Sequence, residues 1–412
     1  MARVWDWVTG LLYEGLLLAL VAGSIAYCLI AILAVTVYKR RRQERIPASP
    51  PVSVLRPLAG ADDNTAANLR SLFSQEYSDF EILLGVHDAA DPAAEIVRRV
   101  MREFPGIPSR LVVTGPSRFP NAKVWSLDAL AREARRNIVI MTDSDVWLPP
   151  HCFATLAEEL ARPGVGLVSC PYRAVGASPW SRLQALGLNT EFISEIVTAV
   201  FLSPCDFAIG CMVATRRQDL EGIGGLGSLG DFLAEDFVMG QQMSRNGKRV
   251  LLSRITVDHH IGGLDFASCW RHRMRWTRST RRSRKAGYAG EIFTKSLMVA
   301  AIAYALWPPI APLALIAVIA RFALAFTAAR ALPGGARAGL FWLALPFEDF
   351  LSFAAWVAGF FGDNVGWRGR ELRLGGDGRI HAVAEPEPEF PAVALESVDH
   401  PRSRDSRTHP IW

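Results

Sequence analysis

The stretch Ile138-Val139-Ile140-Met141-Thr142-Asp143-Ser144-Asp145 decides how the fold of this chain is interpreted. Its first four residues are apolar, three of them β-branched, which is typical of a central parallel strand covered on both faces. The strand ends in two carboxylates one residue apart, and these repel each other unless a cation lies between them. Magnesium or manganese carrying a diphosphate would supply that cation, because both ions prefer hard oxygen ligands. The alternative is a solvated turn, since Asp-x-Asp is frequent by chance.

Short strands and helices alternate on both sides of this stretch. The pattern predicts strands at 52–55, 81–86, 111–113, 165–170 and 250–252, and helices at 64–73, 92–104 and 124–135. Such alternation favours an α/β domain with a mostly parallel sheet and helices on both faces.

Ligands of such sheets bind at the carboxyl ends of the strands, where Asp88 and Asp91 are expected to lie. Asp91 precedes Pro92 and therefore also suits a helix N-cap, with proline at the first helical position. Both interpretations of Asp91 can hold together.

Apolar segments extend beyond what an α/β core needs. The chain has 412 residues, 50% of them hydrophobic, and a mean hydropathy of +0.18. The almost uncharged run at 11–38 is long enough to cross a bilayer and lacks a convincing cleavage site, so we expect an uncleaved anchor. The basic residues that follow predict that the next domain faces the cytoplasm: Lys39, Arg40, Arg41, Arg42 and Arg45.

Residues 293–362 are again mostly apolar. They are predicted to form two transmembrane spans, or one span and a re-entrant helix. Pro308-Pro309 must kink or break the first of them. Glu348 and Asp349 are costly at mid-membrane depth, so we expect them to face the helix bundle or an interface. The earlier apolar stretch 180–202 is interpreted as core packing, with a groove for an apolar substrate as the alternative.

The distribution of charge and the spacing of the cysteines disfavour other classes of protein. The net charge of +5 is modest and clusters beside the apolar segments, which indicates a membrane surface and not nucleic acid. The six cysteines show no Cys-x-x-Cys spacing, which disfavours both zinc and a disulfide framework and favours a reducing compartment.

A second pair of carboxylates, Glu235 and Asp236, stands at the start of a predicted helix. The helix macrodipole explains Glu235. Asp236 is followed by Phe237, Val238 and Met239, and a carboxylate in such an apolar setting has a raised proton affinity that suits a general base.

The segment from Trp270 to Trp276 carries closely spaced arginines. Arginines at helical spacing offer forked donors to a diphosphate, and Trp276 offers a flat face to a sugar. A basic face lying on anionic lipid is the alternative, and it is preferred for the arginines after Trp276. His259 and His260 are interpreted as structural or close to phosphate, with metal ligation less favoured.

Four motifs in order resemble the ceramide glucosyltransferase family. They are Asp91, Asp143 within Asp-Ser-Asp, Asp236 within Ala-Glu-Asp-Phe, and Arg275-Trp276. Residues 52–58 and 367–370 support the resemblance, which extends to about residue 379. It implies a membrane-anchored, inverting glycosyltransferase with a Rossmann-like GT-A domain on the cytoplasmic face, one N-terminal and about two C-terminal transmembrane helices.

The resemblance also implies a role for each donor-side residue. Asp88 and Asp91 would contact the uridine end of a UDP-sugar, and the full donor-binding set would be Asp88, Asp91, Lys123, Asp143 and Arg275. Asp143 and Asp145 would hold Mg²⁺ or Mn²⁺ on the diphosphate.

On the acceptor side, the resemblance makes Asp236 the catalytic base. His272, Arg275 and Trp276 would form the motif beside the acceptor and the leaving group. His272 stands where the eukaryotic pattern has arginine or glutamine, which bears on acceptor identity more than on the reaction.

The predicted organisation has six parts: an N-terminal segment (1–10), a transmembrane anchor (11–38), a basic, proline-containing linker (39–51), the GT-A domain (52–292), C-terminal transmembrane or re-entrant helices (293–362), and a cytoplasmic, partly disordered tail (363–412). The predicted location is a bacterial inner membrane.

The function predicted first is transfer of a hexose from a UDP-sugar to the primary hydroxyl of ceramide, with inversion. The alternatives are N-acetylglucosaminyl transfer to a hopanoid polyol, a processive polysaccharide synthase, and an inactive membrane scaffold. The sequence leaves open which sugar is transferred and the oligomeric state.

Overall fold

The computed structural model describes residues 2–41, 48–332, 339–367 and 370–382. The basic residues Arg42 and Arg45, the motif positions Arg368 and Gly369, and the tail predicted to be disordered beyond residue 382 lie outside these ranges.

Fourteen helices are present in the described ranges. They are α1 (Ala2–Arg40), α2 (Thr65–Phe73), α3 (Pro92–Glu103), α4 (Ala122–Glu133), α5 (Cys152–Leu160), α6 (Pro179–Gly187), α7 (Ile193–Leu202), α8 (Arg217–Gly222), α9 (Glu235–Arg245), α10 (Phe266–Ser283), α11 (Lys285–Gly290), α12 (Ser296–Leu306), α13 (Ala311–Ala331) and α14 (Leu345–Gly359). A π-helical turn, Leu188–Phe192, joins α6 to α7.

Thirteen strands accompany them in the same part of the chain. They are β1 (Val52–Leu58), β2 (Phe80–Val86), β3 (Ser109–Val113), β4 (Ile138–Thr142), β5 (Val146–Trp147), β6 (Val165–Ser169), β7 (Tyr172–Gly176), β8 (Met212–Arg216), β9 (Arg249–Leu252), β10 (Val257–Gly262), β11 (Asn364–Trp367), β12 (Arg370–Leu374) and β13 (Ile380–Ala382).

The central sheet has seven strands in the order β3-β2-β1-β4-β8-β6-β9. Every neighbouring pair is parallel except the two that involve β8, which is antiparallel to both β4 and β6. The predicted α/β fold with a mostly parallel sheet is confirmed. The sequence analysis did not predict β8, because short apolar runs are ambiguous and no preceding βα unit marks this one.

Burial explains why β4 is central. All five residues of β4 are buried, and so are all seven of β1, including the charged Arg56. Side chains from both faces of the sheet enter separate apolar clusters, with Ile140 in one and Val139 in the other. A strand covered on both faces must be apolar throughout, which is the pattern at 138–141.

A smaller sheet in the order β5-β10-β7 lies beyond the end of β4. In the β5–β10 pairing Val146 lies opposite His259 and Trp147 opposite Asp258. Because Val146 directly follows Asp145, this register brings the imidazole of His259 to the acidic pair.

Four helices in the described ranges are long and apolar enough to cross a membrane: Leu12–Arg40, Pro179–Leu202, Pro308–Ala331 and Phe341–Gly359. A fifth candidate is the pair Lys285–Thr294 and Ser296–Leu306, which is bent by 67°. The expected N-terminal apolar helix and C-terminal apolar helices are therefore present. Pro308 and Pro309 begin a 3₁₀ turn between α12 and α13, in agreement with the expected break.

The core packing expected for the stretch 180–202 is present. Ile193 and Val197 belong to the main apolar core, while Phe192 and Ile196 line a cavity described below.

The C-terminal strands β11, β12 and β13 form an antiparallel sheet. Val365, Leu372, Leu374 and Ile380 pack on Leu233, just before α9. Residues 370–382 belong to the tail predicted to be partly disordered (363–412), and this part of it is ordered. Alternating apolar residues are buried here despite the polar composition of the tail.

Two acidic residues of α14 are buried, as expected for the helix bundle. Arg321 donates to both carboxylate oxygens of Asp349 at 2.7 and 2.9 Å, and each of the two residues is 1% exposed. The neighbouring Glu348 accepts from Arg273 at 2.7 Å. These pairs tie α13 and α10 to α14.

Arg321→Met is expected to lower the free energy of unfolding by about 3–5 kcal/mol, because it leaves the Asp349 carboxylate buried without its partner. Combining it with Asp349→Leu removes both charges and should recover most of that loss. Thermal denaturation in detergent measures the difference; a double variant less stable than Arg321→Met would contradict this account.

Candidate active site

A cavity of about 540 Å³ opens between the carboxyl edge of the sheet, α9, α10 and the apolar helices. Its size lies in the range of small-molecule sites. Seven of the residues predicted from sequence line it: Lys123, Asp143, Asp145, Asp236, His272, Arg275 and Trp276. The structure therefore brings together residues that are up to 153 positions apart in the chain, from Lys123 to Trp276.

Lys123 balances the charge of Asp143. Its Nζ lies 2.6 Å from Oδ1 of Asp143 and 2.8 Å from Oε1 of Glu235. Asn121 caps α4 by accepting from the amide of Lys123, which fixes the first helical turn in place. Burial opposes the charge on the amine, but the two carboxylates outweigh it and raise the pKa of Lys123.

Asp145 is balanced by a different cation. Its Oδ2 lies 3.1 Å from Nε2 of His259. Burial works against ionisation of this carboxyl, yet the attraction and hydrogen bond of His259 hold the pKa of Asp145 at about 2. Asp145 is therefore an anion at any physiological pH.

Oδ1 of Asp145 is buried and has no hydrogen-bond partner among the described residues. A buried carboxylate oxygen without a partner is costly, and a hard cation would satisfy it. No cluster of three or more His, Cys, Asp and Glu side chains suited to a metal occurs in the described ranges. The carboxylate oxygens of Asp143 and Asp145 are of the type that would suit a divalent ion.

Asp236 occupies the second position of α9, beside Glu235. Burial, followed by repulsion from Glu235, raises the pKa of Asp236 to about 7. Gly210 faces this carboxylate so closely that an added Cβ would lie 2.8 Å from Oδ2. The surroundings of Asp236 thus favour a group that can accept a proton near neutral pH.

The surroundings of Glu235 differ from those predicted from the sequence. It does begin a helix, but it is buried, paired with Lys123, and within 3.3 Å of Nδ2 of Asn121. The position of Glu235 at the start of a helix could not predict these contacts, because Asn121 is 114 positions away in the chain. Glu235 therefore shares Lys123 with Asp143 and directly precedes Asp236.

The motif on α10 presents one face to the cavity. His272 and Trp276 are four residues apart, so they lie on the same side of the helix, and their rings lie 4.7 Å apart. Gln184 Nε2 donates to Nδ1 of His272 at 2.5 Å. Burial, then repulsion from Arg275, lowers the pKa of His272 to about 3, so the imidazole is neutral.

Asp88 and Asp91 lie outside this set. Asp91 caps α3 by accepting from the amide of Ala93 at 2.8 Å, and it also accepts from Gly60 at 3.1 Å. Asp88 accepts from the amide of Ala90. Both follow β2 at the expected edge, but neither is among the described residues that line the cavity.

Arg56 is a functional candidate that the sequence analysis missed. It is fully buried in β1 and donates to Oγ1 of Thr142 at 3.2 Å and to the carbonyl of Val146 at 3.0 Å. These two residues flank the acidic pair, so Arg56 places a positive charge beneath it. An arginine directly after Val54 and Leu55 in a predicted strand was the available signal.

A profile of glycosyl transferase family 21 matches residues 16–380. The chain belongs to this family. The resemblance to ceramide glucosyltransferases is thereby confirmed.

Two curated relatives come from Caenorhabditis elegans. Ceramide glucosyltransferase 1 is 26% identical over 210 residues, covering 50% of this chain and 45% of the relative. Ceramide glucosyltransferase 3 is 23% identical over 244 residues, covering 58% of this chain and 53% of the relative. The chain spans about half the length of these family 21 relatives.

Among solved structures, a mannosyltransferase from Pyrobaculum calidifontis in complex with GDP-Man and Mn²⁺ is similar. The TM-score is 0.52 at 19% identity, covering 84% of this chain and 99% of that chain. At this identity the likeness shows a shared fold, which supports the GT-A architecture.

The raised pKa of Asp236 predicts a pH-dependent stability. An acid with a raised folded pKa stabilises the fold most when protonated, and this contribution is lost as pH rises from about 4 towards 7. Asparagine resembles the protonated form at every pH. Asp236→Asn should therefore melt at a higher temperature than the parent at pH 8, with a smaller difference at pH 5.

Thermal denaturation in detergent at the two pH values tests this expectation. The exposed Asp206→Asn serves as control, because Asp206 does not line the cavity. A difference between Asp236→Asn and the parent that does not grow with pH would contradict a neutral-range pKa.

Proposed function

We propose that this family 21 protein transfers a hexose from a UDP-sugar to the primary hydroxyl of a membrane lipid, with ceramide as the first candidate. One observation carries the proposal: a single cavity joins the Asp143–Asp145 pair, Asp236 and the apolar helices. A nucleotide-sugar and a lipid can therefore meet beside a base.

The donor end of the cavity suits a diphosphate. Lys123 and Arg275 line it together with the acidic pair, and both carry the charge that a phosphate group requires. Asp143 and Asp145 would hold Mg²⁺ or Mn²⁺, which would neutralise charge on the leaving diphosphate. The manganese in the similar mannosyltransferase supports a divalent ion.

Asp88 and Asp91 remain proposed contacts of the uridine end. Both follow β2, at the edge of the sheet formed by the carboxyl ends of the parallel strands. Rotation of Asp91 towards a nucleotide would require it to leave Gly60 or Ala93, its partners here.

Acceptor activation would fall to Asp236. The lipid hydroxyl gives its proton to the Asp236 carboxylate while its oxygen attacks the anomeric carbon, and the bond from that carbon to the diphosphate breaks. Attack opposite to the leaving group inverts the anomeric configuration. A base with a pKa near 7 is matched to this transfer at neutral pH.

The neutral His272 and the ring of Trp276 form a wall of the cavity between the base and the apolar helices. Trp276 also packs on Phe192, at 5.7 Å between ring centroids. This wall is proposed to border the acceptor. Because His272 replaces the arginine or glutamine of the family pattern, a hopanoid polyol is retained as the second acceptor.

The proposed setting is the cytoplasmic face of a bacterial inner membrane. Lys39 and Arg40 end α1, and a basic flank after an apolar helix favours the cytoplasmic side. UDP-sugars occur in that compartment, which is consistent with the proposed donor.

Removal of divalent ions is expected to reduce transfer at least tenfold, because no metal ion would then neutralise the charge on the diphosphate. Asp145→Asn should weaken UDP binding in the presence of Mg²⁺ or Mn²⁺ and leave it unchanged in EDTA. Titration calorimetry with UDP measures this, with the exposed Asp206→Asn as control. Metal-independent UDP binding by the parent would contradict the metal assignment.

The function itself is tested by mass spectrometry of lipids from cells that lack native glycolipids. Cells expressing the protein with ceramide should accumulate a hexosylceramide, whose mass identifies the sugar class. An aminosugar-linked hopanoid formed with bacteriohopanetetrol would favour the second acceptor, and a long polysaccharide would favour a processive synthase. Asp236→Asn should abolish the product while retaining UDP binding; no product from the parent with either lipid would refute the proposal.

A further inference from the structure

Tyr172 lines the cavity but has no role in the reaction as described above. It begins β7, opposite Val257 of β10, and is 3% exposed. Its hydroxyl oxygen is buried and has no hydrogen-bond partner among the described residues. A buried tyrosine usually finds a partner for its O–H group, so an unpaired hydroxyl at a cavity indicates a ligand that supplies the missing acceptor.

Aromatic contacts hold the ring of Tyr172 in place. Its centroid lies 5.4 Å from that of Phe192 in the π-helical turn. It lies 5.2 Å from the ring of His259, which it meets edge to face. These contacts use the ring alone, so phenylalanine would make them equally well. The hydroxyl is therefore not needed for this packing.

The hydroxyl of Tyr172 is also close to both acidic parts of the site. His259, against which the ring packs, bonds to Oδ2 of Asp145 at 3.1 Å. Burial, and then repulsion from Cys211, Asp236 and Asp145, raises the pKa of this phenol well above its usual value. The phenol is therefore neutral at physiological pH and can donate a hydrogen bond near the acidic pair and near the proposed base.

Oδ1 of Asp145 has no partner among the described residues either. The phenol could donate to this oxygen, yet no hydrogen bond joins the two groups. Their needs are complementary, since the carboxylate suits a cation and the phenol requires an oxygen that accepts. A diphosphate with its divalent ion carries both. This combination favours the diphosphate, and not the transferred sugar, as the ligand of Tyr172.

The charge that develops during transfer leads to the same choice. As the bond between the anomeric carbon and the β-phosphate oxygen breaks, its electron pair passes to that oxygen and the sugar ring becomes electron-poor. A hydrogen-bond donor stabilises the growing negative charge but would oppose positive charge on the sugar. The phenol keeps its proton throughout, because the proton of the acceptor hydroxyl goes to Asp236.

We propose that the Tyr172 hydroxyl donates a hydrogen bond to the β-phosphate of the departing nucleoside diphosphate and is thereby a further catalytic residue. This deepens the proposed function and rests on it for the nucleotide donor. The bond strengthens as charge builds on the phosphate, so it is stronger in the diphosphate product than in the nucleotide-sugar.

Tyr172→Phe tests the proposal, because the variant keeps the ring and loses only the hydroxyl. With Mg²⁺ or Mn²⁺ present, the dissociation constant for UDP should rise about tenfold, the effect of losing one hydrogen bond to a charged group. The constant for UMP, which has no β-phosphate, should not change. Titration calorimetry on the full-length protein in detergent measures both.

The same variant should also slow transfer. We expect kcat to fall about tenfold while KM for the UDP-sugar changes less, because the hydrogen bond gains its strength as the diphosphate leaves. The melting temperature of Tyr172→Phe should not fall, since no described residue bonds to the hydroxyl that is removed. Unchanged UMP binding shows independently that the donor end is folded.

The matched control is Tyr27→Phe. The hydroxyl oxygen of Tyr27 is likewise buried without a hydrogen-bond partner among the described residues, but Tyr27 lies on α1 and does not line the cavity. Its replacement should leave UDP binding, UMP binding and kcat as they are in the parent.

Two results would overturn the proposal: UDP binding unchanged in Tyr172→Phe, or UMP binding weakened as much as UDP binding. The first would mean that the hydroxyl does not contact the β-phosphate, and the second that its loss disturbs the nucleotide site as a whole.

Failure of the proposed function would look different. A parent that binds GDP but not UDP would refute the proposed donor, and GDP against GMP would then test Tyr172 in the same way. A parent that binds UDP through Tyr172 but forms no glycolipid would refute the proposed transfer and leave the β-phosphate contact standing.

Discussion

Two carboxylates, Asp143 and Asp145, lie one residue apart at the end of a buried strand, and the rest of the site depends on how their charge is balanced. Lys123 pairs with the first at 2.6 Å and His259 with the second at 3.1 Å. The guanidinium of Arg56 lies beneath both. Buried charges require such partners, since removing one partner leaves an uncompensated ion.

The same ion pairs also affect the proposed base, Asp236. Lys123 is shared between Asp143 and the residue directly before Asp236, which is Glu235. Its repulsion adds to burial in raising the pKa of Asp236. The proposed donor site and the proposed base thus belong to one network, in which Lys123 connects the sheet edge to α9.

Two elements outside the GT-A sheet complete the site. The C-terminal sheet holds the loop before α9, since the amide of Ile380 donates to the carbonyl of Asp231 at 2.7 Å and Leu233 enters its small core. The apolar helices supply the far wall of the cavity through Gln184 and Glu348. The apolar helices therefore form part of the cavity wall.

Local patterns in the sequence predicted several of these features. The apolar run at 138–141 and the acids after it predicted the central strand and its active edge, because a doubly covered strand must be apolar and parallel strands bind ligands at their carboxyl ends. The order of the motifs predicted the family, and the apolar run at 11–38 predicted the N-terminal helix. Asp91 was predicted as a helix cap from its place before Pro92.

Other features depend on contacts between residues far apart in the chain. The strand β8, the ordered C-terminal sheet, and the buried role of Glu235 each arise from packing partners that no local window contains. The sequence by itself determined the fold class, the apolar helices and the residue types of the site, since these follow from periodicity and motif spacing. Only the tertiary structure decided which acid pairs with which cation and which acceptors stay unpaired, because a pKa and a hydrogen bond depend on the neighbours that folding brings within a few ångströms.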